Sequence, residues 1–138
     1  MDLNAIREHL LDIGGVGRGE DGAVNRLLFT PEYDQAAEKL MEYMRRSGLV
    51  VRRDSVGNLH GVLPATEGGT GTLYLGSHLD TVRDGGLYDG ALGIIAGVEC
   101  ARRFAQEQPQ RAFDLHVLAT NGEEGNDLGG TFGRRCMM

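Results

Sequence analysis

The chain has 138 residues, with 14 Lys+Arg against 20 Asp+Glu for a formal net charge of −6. That length fits one domain or a piece of something larger, and it can bury roughly 70% of its unfolded surface without disulfide staples. The acidic balance argues against a nucleic-acid groove or an anionic membrane as partner, since both need clustered positive charge.

The opening MDLNAIREHLLDIGG lacks the uninterrupted apolar run of a secretory signal. Leu3, Ile6, Leu10 and Leu11 recur at helical spacing, which predicts a short amphipathic helix over 3–12. GGVGRGEDG (14–22) carries five glycines and reads as a mobile loop. It has no preceding strand and no Gly-Lys-Ser/Thr ending, so it is not read as a phosphate cradle. Thr30-Pro31 marks a helix start, and Tyr33, Ala36, Ala37, Leu40, Met41 and Met44 form its apolar face up to Gly48. LVVRRDSV and NLHGVLP predict two strands joined at Val56-Gly57-Asn58, and TLYLG (72–76) predicts a third. Asp89-Gly90 opens a long helical pattern with Leu92, Ile95, Ala96, Cys100 and Phe104 on one side and Pro109 beyond its end. AFDLHVLAT (112–120) is apolar enough to be a central strand. The expected fold is α/β, a layered sheet with flanking helices. No stretch reaches the ~20 apolar residues of a membrane span. Cys100 and Cys136 are too few for a disulfide framework. The expected setting is a reducing cytoplasm.

Two strands end in polar clusters, where open α/β sheets place their sites. The first is Gly76-Ser77-His78-Leu79-Asp80-Thr81, followed by Asp84 and Tyr88-Asp89-Gly90; the second is Asn121-Gly122-Glu123-Glu124-Gly125. His78 and Asp80 are two apart, so an extended backbone would put the carboxylate where it can hold the imidazole. Asp89 falls at a helix N-terminus, which favours a carboxylate. Of the adjacent Glu123 and Glu124, one is suited to ligate a metal while the other handles a proton. Gathered in one cleft, these carboxylates repel unless one or two divalent cations join them. Taken singly, Asp89 reads as a helix cap and Glu123-Glu124 as solvated loop charge; their joint placement favours a site. His9, His60 and His116 have no such surroundings and are read as structural, and Cys100 as a small buried hydrophobe. No Gly-x-Ser-x-Gly elbow is present, and Lys39 is the sole lysine, on a charge-rich helix.

GSHLDTVRDGGLYDGALGIIAGVE (76–99) and NGEEG (121–125) resemble the two-metal amidohydrolases related to aminoacylases and dinuclear zinc carboxypeptidases. The likeness is closer to the branch of N-carbamoyl-L-amino-acid hydrolases and allantoate amidohydrolases, because Asp89 follows His78 by only 11 residues. It extends over FTPEYDQAAEKLMEYMRRSGLVVRRDSVGNLHG (29–61). The resemblance implies that His78 ligates one metal, Asp80 steadies its ring, and Asp89 bridges two metals. It further implies that Glu124 ligates the second metal and Glu123 is the general base. The implied cofactors are two divalent ions, zinc first, with manganese or cobalt as alternatives. The implied reaction hydrolyses a linear C–N bond in a small N-carbamoyl or ureido substrate.

Two departures qualify the resemblance. Asp127-Leu128 stands where many relatives have Arg-Phe, next to substrate-side contacts. The family also supplies two more histidine ligands, a substrate-binding arginine and a dimerising lid domain downstream of Met138. The chain is therefore expected to be the N-terminal part of a phosphorylase/hydrolase-like catalytic domain, lacking the domain that makes full-length relatives homodimers. Alone, it is expected to be inactive or to bind metal weakly, because catalytic zinc needs about three protein ligands. The rival readings are a peptidase or aminoacylase of the same larger family, and a non-catalytic binding module on the same fold.

Overall fold

The computed structural model describes residues 3–107, 109–125 and 127–137; Met138, on which the expectation about the chain's end rests, lies outside them. Helix α1 (Leu3–His9) runs into one π-helical turn (Leu10–Gly14), followed by α2 (Pro31–Arg46), β1 (Val50–Arg53) and β2 (Leu59–Leu63). Then come β3 (Gly71–His78), α3 (Ala91–Glu107), β4 (Phe113–Thr120) and α4 (Phe132–Arg135). The four strands form one mixed sheet in the order β1-β2-β4-β3. β4 pairs antiparallel with β2 and parallel with β3, so the expected central strand is central.

Helix α2 follows its sequence signals. The Thr30 hydroxyl accepts the Tyr33 N–H, Pro31 opens the first turn, Glu32 and Asp34 sit near the N-terminus, and Arg45 and Arg46 close the last turn. Its predicted stripe, Tyr33, Ala36, Ala37, Leu40, Met41 and Met44, is buried. That stripe packs with Leu59 and Leu63 of β2 and Leu115, Val117 and Ala119 of β4. Alternate residues point to opposite faces of a strand. His60, His116 and Tyr74 therefore occupy the other face of the sheet.

Three local readings are corrected. The π-turn carries an extra residue, which rotates the N-terminal face: Leu10, Ile13 and Gly14 are buried, while Leu3 and Leu11 are exposed. The glycine-rich stretch at 14–22 is tied down by the Gly19 N–H to the Ala23 carbonyl and by a bridge between Arg18 and Val24. Val24, fully buried, exchanges both backbone hydrogen bonds with Gly85. In α3 the buried residues are Ala91, Ile94, Ile95, Gly97, Val98, Glu99 and Ala101, leaving Leu92 exposed and Cys100 half-buried.

Glycine explains the shifted face of α3. A Cβ on Gly93 would lie 2.9 Å from the Ser77 Cβ, and one on Gly97 would lie 3.4 Å from the Leu75 Cβ. The helix backbone itself meets β3, and an apolar count does not register a side made of glycine. Among the described residues no helix is long and apolar enough to cross a membrane.

The two glycines predict opposite outcomes. Gly97→Ala meets only ordinary contacts and is expected to stabilise the chain by up to about 1 kcal/mol through helix propensity. Gly93→Ala forces α3 away from Ser77 and is expected to lower stability. Urea unfolding of both variants checks the pair.

Candidate metal centre

The parallel pairing of β3 and β4 builds the site. Their register runs to His78 opposite Thr120, so β3 is eight residues long and both strands release their loops at the same end of the sheet. Leu79 continues the pairing, its N–H donating to the Thr120 carbonyl at 3.2 Å. The two polar clusters of the sequence thereby become neighbours.

Asp80 joins them. It is 1% exposed, and its two carboxylate oxygens accept the backbone N–H groups of Glu123 and Glu124, each at 3.2 Å. The imidazole of His78 is instead held by the Asp80 backbone carbonyl, 2.9 Å from Nδ1, with the nearest carboxylate oxygen at 4.0 Å. Asp80, the residue expected to steady the ring, thus reaches Nδ1 through its backbone oxygen. The chain turns after the strand, so the carbonyl reaches Nδ1 while the side chain turns to the second loop.

With Nδ1–H donated, Nε2 carries the lone pair and faces the acids. It lies 3.6 Å from Asp89 Oδ1 and 4.0 Å from Glu123 Oε2. One donor atom each from His78, Asp89 and Glu124 lies within 4.8 Å of the others. Asp89 stands two residues before α3, and the next residue, Gly90, passes directly beneath the histidine. Gly90 has φ +66°, and a Cβ there would fall 2.3 Å from the His78 carbonyl oxygen and 2.6 Å from Nδ1. Glu124 is pushed above the usual carboxylate range by burial and by a hydrogen bond with Asp89, opposed by His78. One borderline nitrogen and two hard oxygens, the acids repelling one another, form a donor set that fits a divalent cation.

Arg26, which the sequence did not single out, braces this arrangement from below. It is fully buried, with Nε donating to the Leu79 carbonyl at 2.7 Å and Nη1 to the Gly14 and Val16 carbonyls at 2.7 and 3.0 Å. Burial pulls its guanidinium down to about 10, partly offset by the Asp80 carboxylate. Its backbone N–H donates to the Thr81 hydroxyl at 2.9 Å. A lone arginine among Val24, Leu27, Leu28 and Phe29 was the available signal. The second loop is held likewise: Thr131, Phe132 and Gly133 N–H groups donate to the Glu123, Gly122 and Asn121 carbonyls. Asn58 Oδ1 accepts the Asn121 N–H at 2.9 Å. A cleft of about 590 Å³ opens beside Glu124, walled by residues 27–30, Thr81, Arg83, Asp127 and Leu128.

Residues 58–133, more than half of the chain, match the model of peptidase family M28. The chain belongs to this family. The five candidate site residues, His78, Asp80, Asp89, Glu123 and Glu124, lie inside the matched stretch, whereas Arg26 lies outside it. Within the family the likeness runs to the hydantoinase/carbamoylase amidohydrolases. An N-carbamoyl-L-amino acid amidohydrolase of Geobacillus stearothermophilus is 37% identical over 94% of this chain and 32% of its own length. An allantoate amidohydrolase of Escherichia coli K12 is 40% identical over 88% of this chain and 30% of its own. The crystal structure of a hydantoinase/carbamoylase-family amidase from Burkholderia phymatum superposes with TM-score 0.86 at 32% identity, covering 99% of this chain and 32% of that one. The chain thus spans about a third of the length of the family relatives it matches, and its sheet is part of their larger catalytic domain.

Asp80→Asn tests how the two loops are joined. The amide oxygen can accept one N–H and its NH₂ opposes the other, at a cost of about 1–3 kcal/mol. Amide hydrogen exchange at 123 and 124 is expected to accelerate, with urea unfolding reading the loss.

Proposed function

We propose that this chain is the N-terminal part of the metal-binding catalytic domain of an amidohydrolase. The enzyme would cleave linear C–N bonds in small carbamoyl or ureido substrates, as its relatives' names describe. The observation that carries the reading is the convergence of His78 Nε2, Asp89 and Glu124 on one point. In this reading His78 and Asp89 hold one divalent ion and Asp89 and Glu124 a second, zinc first, with manganese or cobalt as alternatives. Bound there, the ions would polarise the scissile carbonyl and make water nucleophilic at neutral pH. Glu123, whose Oε2 lies 4.0 Å from His78 Nε2 and whose side chain is 43% exposed, takes the proton of the attacking water. It then delivers that proton to the leaving nitrogen. Asp80 keeps Glu123 and Glu124 in place through their backbone.

Two protein ligands per ion fall short of the three usual for catalytic zinc. The missing ligands, the substrate arginine and a dimerising lid are assigned to the remaining length that the relatives have. The family model's peptidase description favours the rival reading, cleavage of peptide bonds, which a substrate panel separates.

The test uses the polypeptide carrying the whole catalytic domain, assayed for ammonia release from N-carbamoyl amino acids and allantoate, with dipeptides in parallel. Glu123→Gln is expected to lower kcat by about 10²–10⁴-fold while calorimetric Zn²⁺ binding is unchanged. Faster turnover of dipeptides would contradict the substrate class, and an unaltered kcat would remove Glu123 as the base. Robust turnover by the 138-residue chain alone would contradict its incompleteness.

A further inference from the structure

A second pair of donors lies on the opposite face of the sheet. His60 of β2 pairs with Leu118, and His116 of β4 pairs with Val62, so the two imidazoles are diagonal neighbours across adjacent strands. His60 Nδ1 and His116 Nε2 are 3.1 Å apart, and both side chains are buried at the wall of a cavity of about 590 Å³. Two nitrogens bound to one zinc or copper ion at the usual ~2.0–2.1 Å come to about that separation. His60 Nε2 lies 3.2 Å from Asp54 Oδ2, the carboxylate contact that fixes the tautomer of a ligating histidine and raises its basicity. Asp54 is itself immobilised by the Val56 and Asn58 N–H groups and the Asn58 amide. Tyr74 packs against His116 at a tilt of 32°, with ring centroids 4.7 Å apart.

We infer that His60 and His116 form a binding site for a borderline divalent cation such as Cu²⁺ or Zn²⁺, separate from the His78 centre. The ion sits between His60 Nδ1 and His116 Nε2, with water in its remaining positions. The competing group is Arg52, which donates from Nη2 to His60 Nδ1 at 3.2 Å. Arg52 is exposed on the edge strand β1, so an entering ion displaces it into solvent.

The test titrates Cu²⁺ into the chain carrying His78→Ala, which removes the imidazole of the first centre. Calorimetry is expected to show one ion, and its electron paramagnetic resonance spectrum two coordinated imidazole nitrogens. His60→Gln and His116→Gln should each abolish the two-nitrogen signature, and Asp54→Asn should weaken binding by about 10–100-fold. Arg52→Gln, on the exposed edge, should tighten binding without relying on the histidine variants folding. A two-nitrogen spectrum that survives either histidine substitution would overturn the assignment. So would Arg52→Gln binding no more tightly than the parent.

Discussion

The site depends on one buried carboxylate. Asp80 is almost wholly removed from water, yet both its oxygens are engaged by the N–H groups of Glu123 and Glu124. A buried ionised acid is tolerated when it is hydrogen-bonded and near opposite charge. The loop amides supply the first condition and the buried Arg26 the second. Charge in the interior is therefore exchanged for position. The two loops of the candidate centre are joined to each other by one side chain that need not touch a substrate.

That joint is useful because of the sheet beneath it. Parallel pairing of β3 with β4 makes both loops leave at one end, and the register to His78 opposite Thr120 fixes their height. The side chains then divide the labour. The Asp80 carbonyl orients His78 Nδ1, which turns Nε2 toward Asp89, while glycine at 90 lets the start of α3 pass under the ring. The result is one imidazole facing three acids, a cluster that is electrostatically costly until a cation enters it.

Much of this was legible in the sequence because it rests on local signals. The Thr30-Pro31 start, the α2 stripe and the apolar β4 run express propensity and periodicity, and the structure follows them. The residues at the two strand ends were also legible, since polar clusters that end apolar strands stand out. What escaped rests on contacts distant in sequence or on atoms that pattern does not weigh. The role of Asp80 turns on which of its oxygens reaches His78, a matter of backbone direction after the strand. Arg26 meets its partners at Gly14, Val16 and Leu79, and only the folded chain brings these together. The π-turn at Leu10–Gly14 and the glycine face of α3 both displace a helical stripe that simple periodicity places elsewhere. The high glycine content, 22 residues in all, thus has a partial explanation: several of them are where backbone replaces side chain in the packing.

The central claim is that His78, Asp89 and Glu124 form a divalent-metal centre, with Asp89 shared between its two ions. Anomalous diffraction at the zinc absorption edge, from crystals of the polypeptide carrying the whole catalytic domain grown with Zn²⁺, tests it most directly. The expected result is two anomalous peaks, one about 2.0–2.2 Å from His78 Nε2 and an Asp89 oxygen, the other at the same distance from oxygens of Asp89 and Glu124. A well-occupied zinc bound elsewhere, with these three side chains turned away from one another, would contradict it.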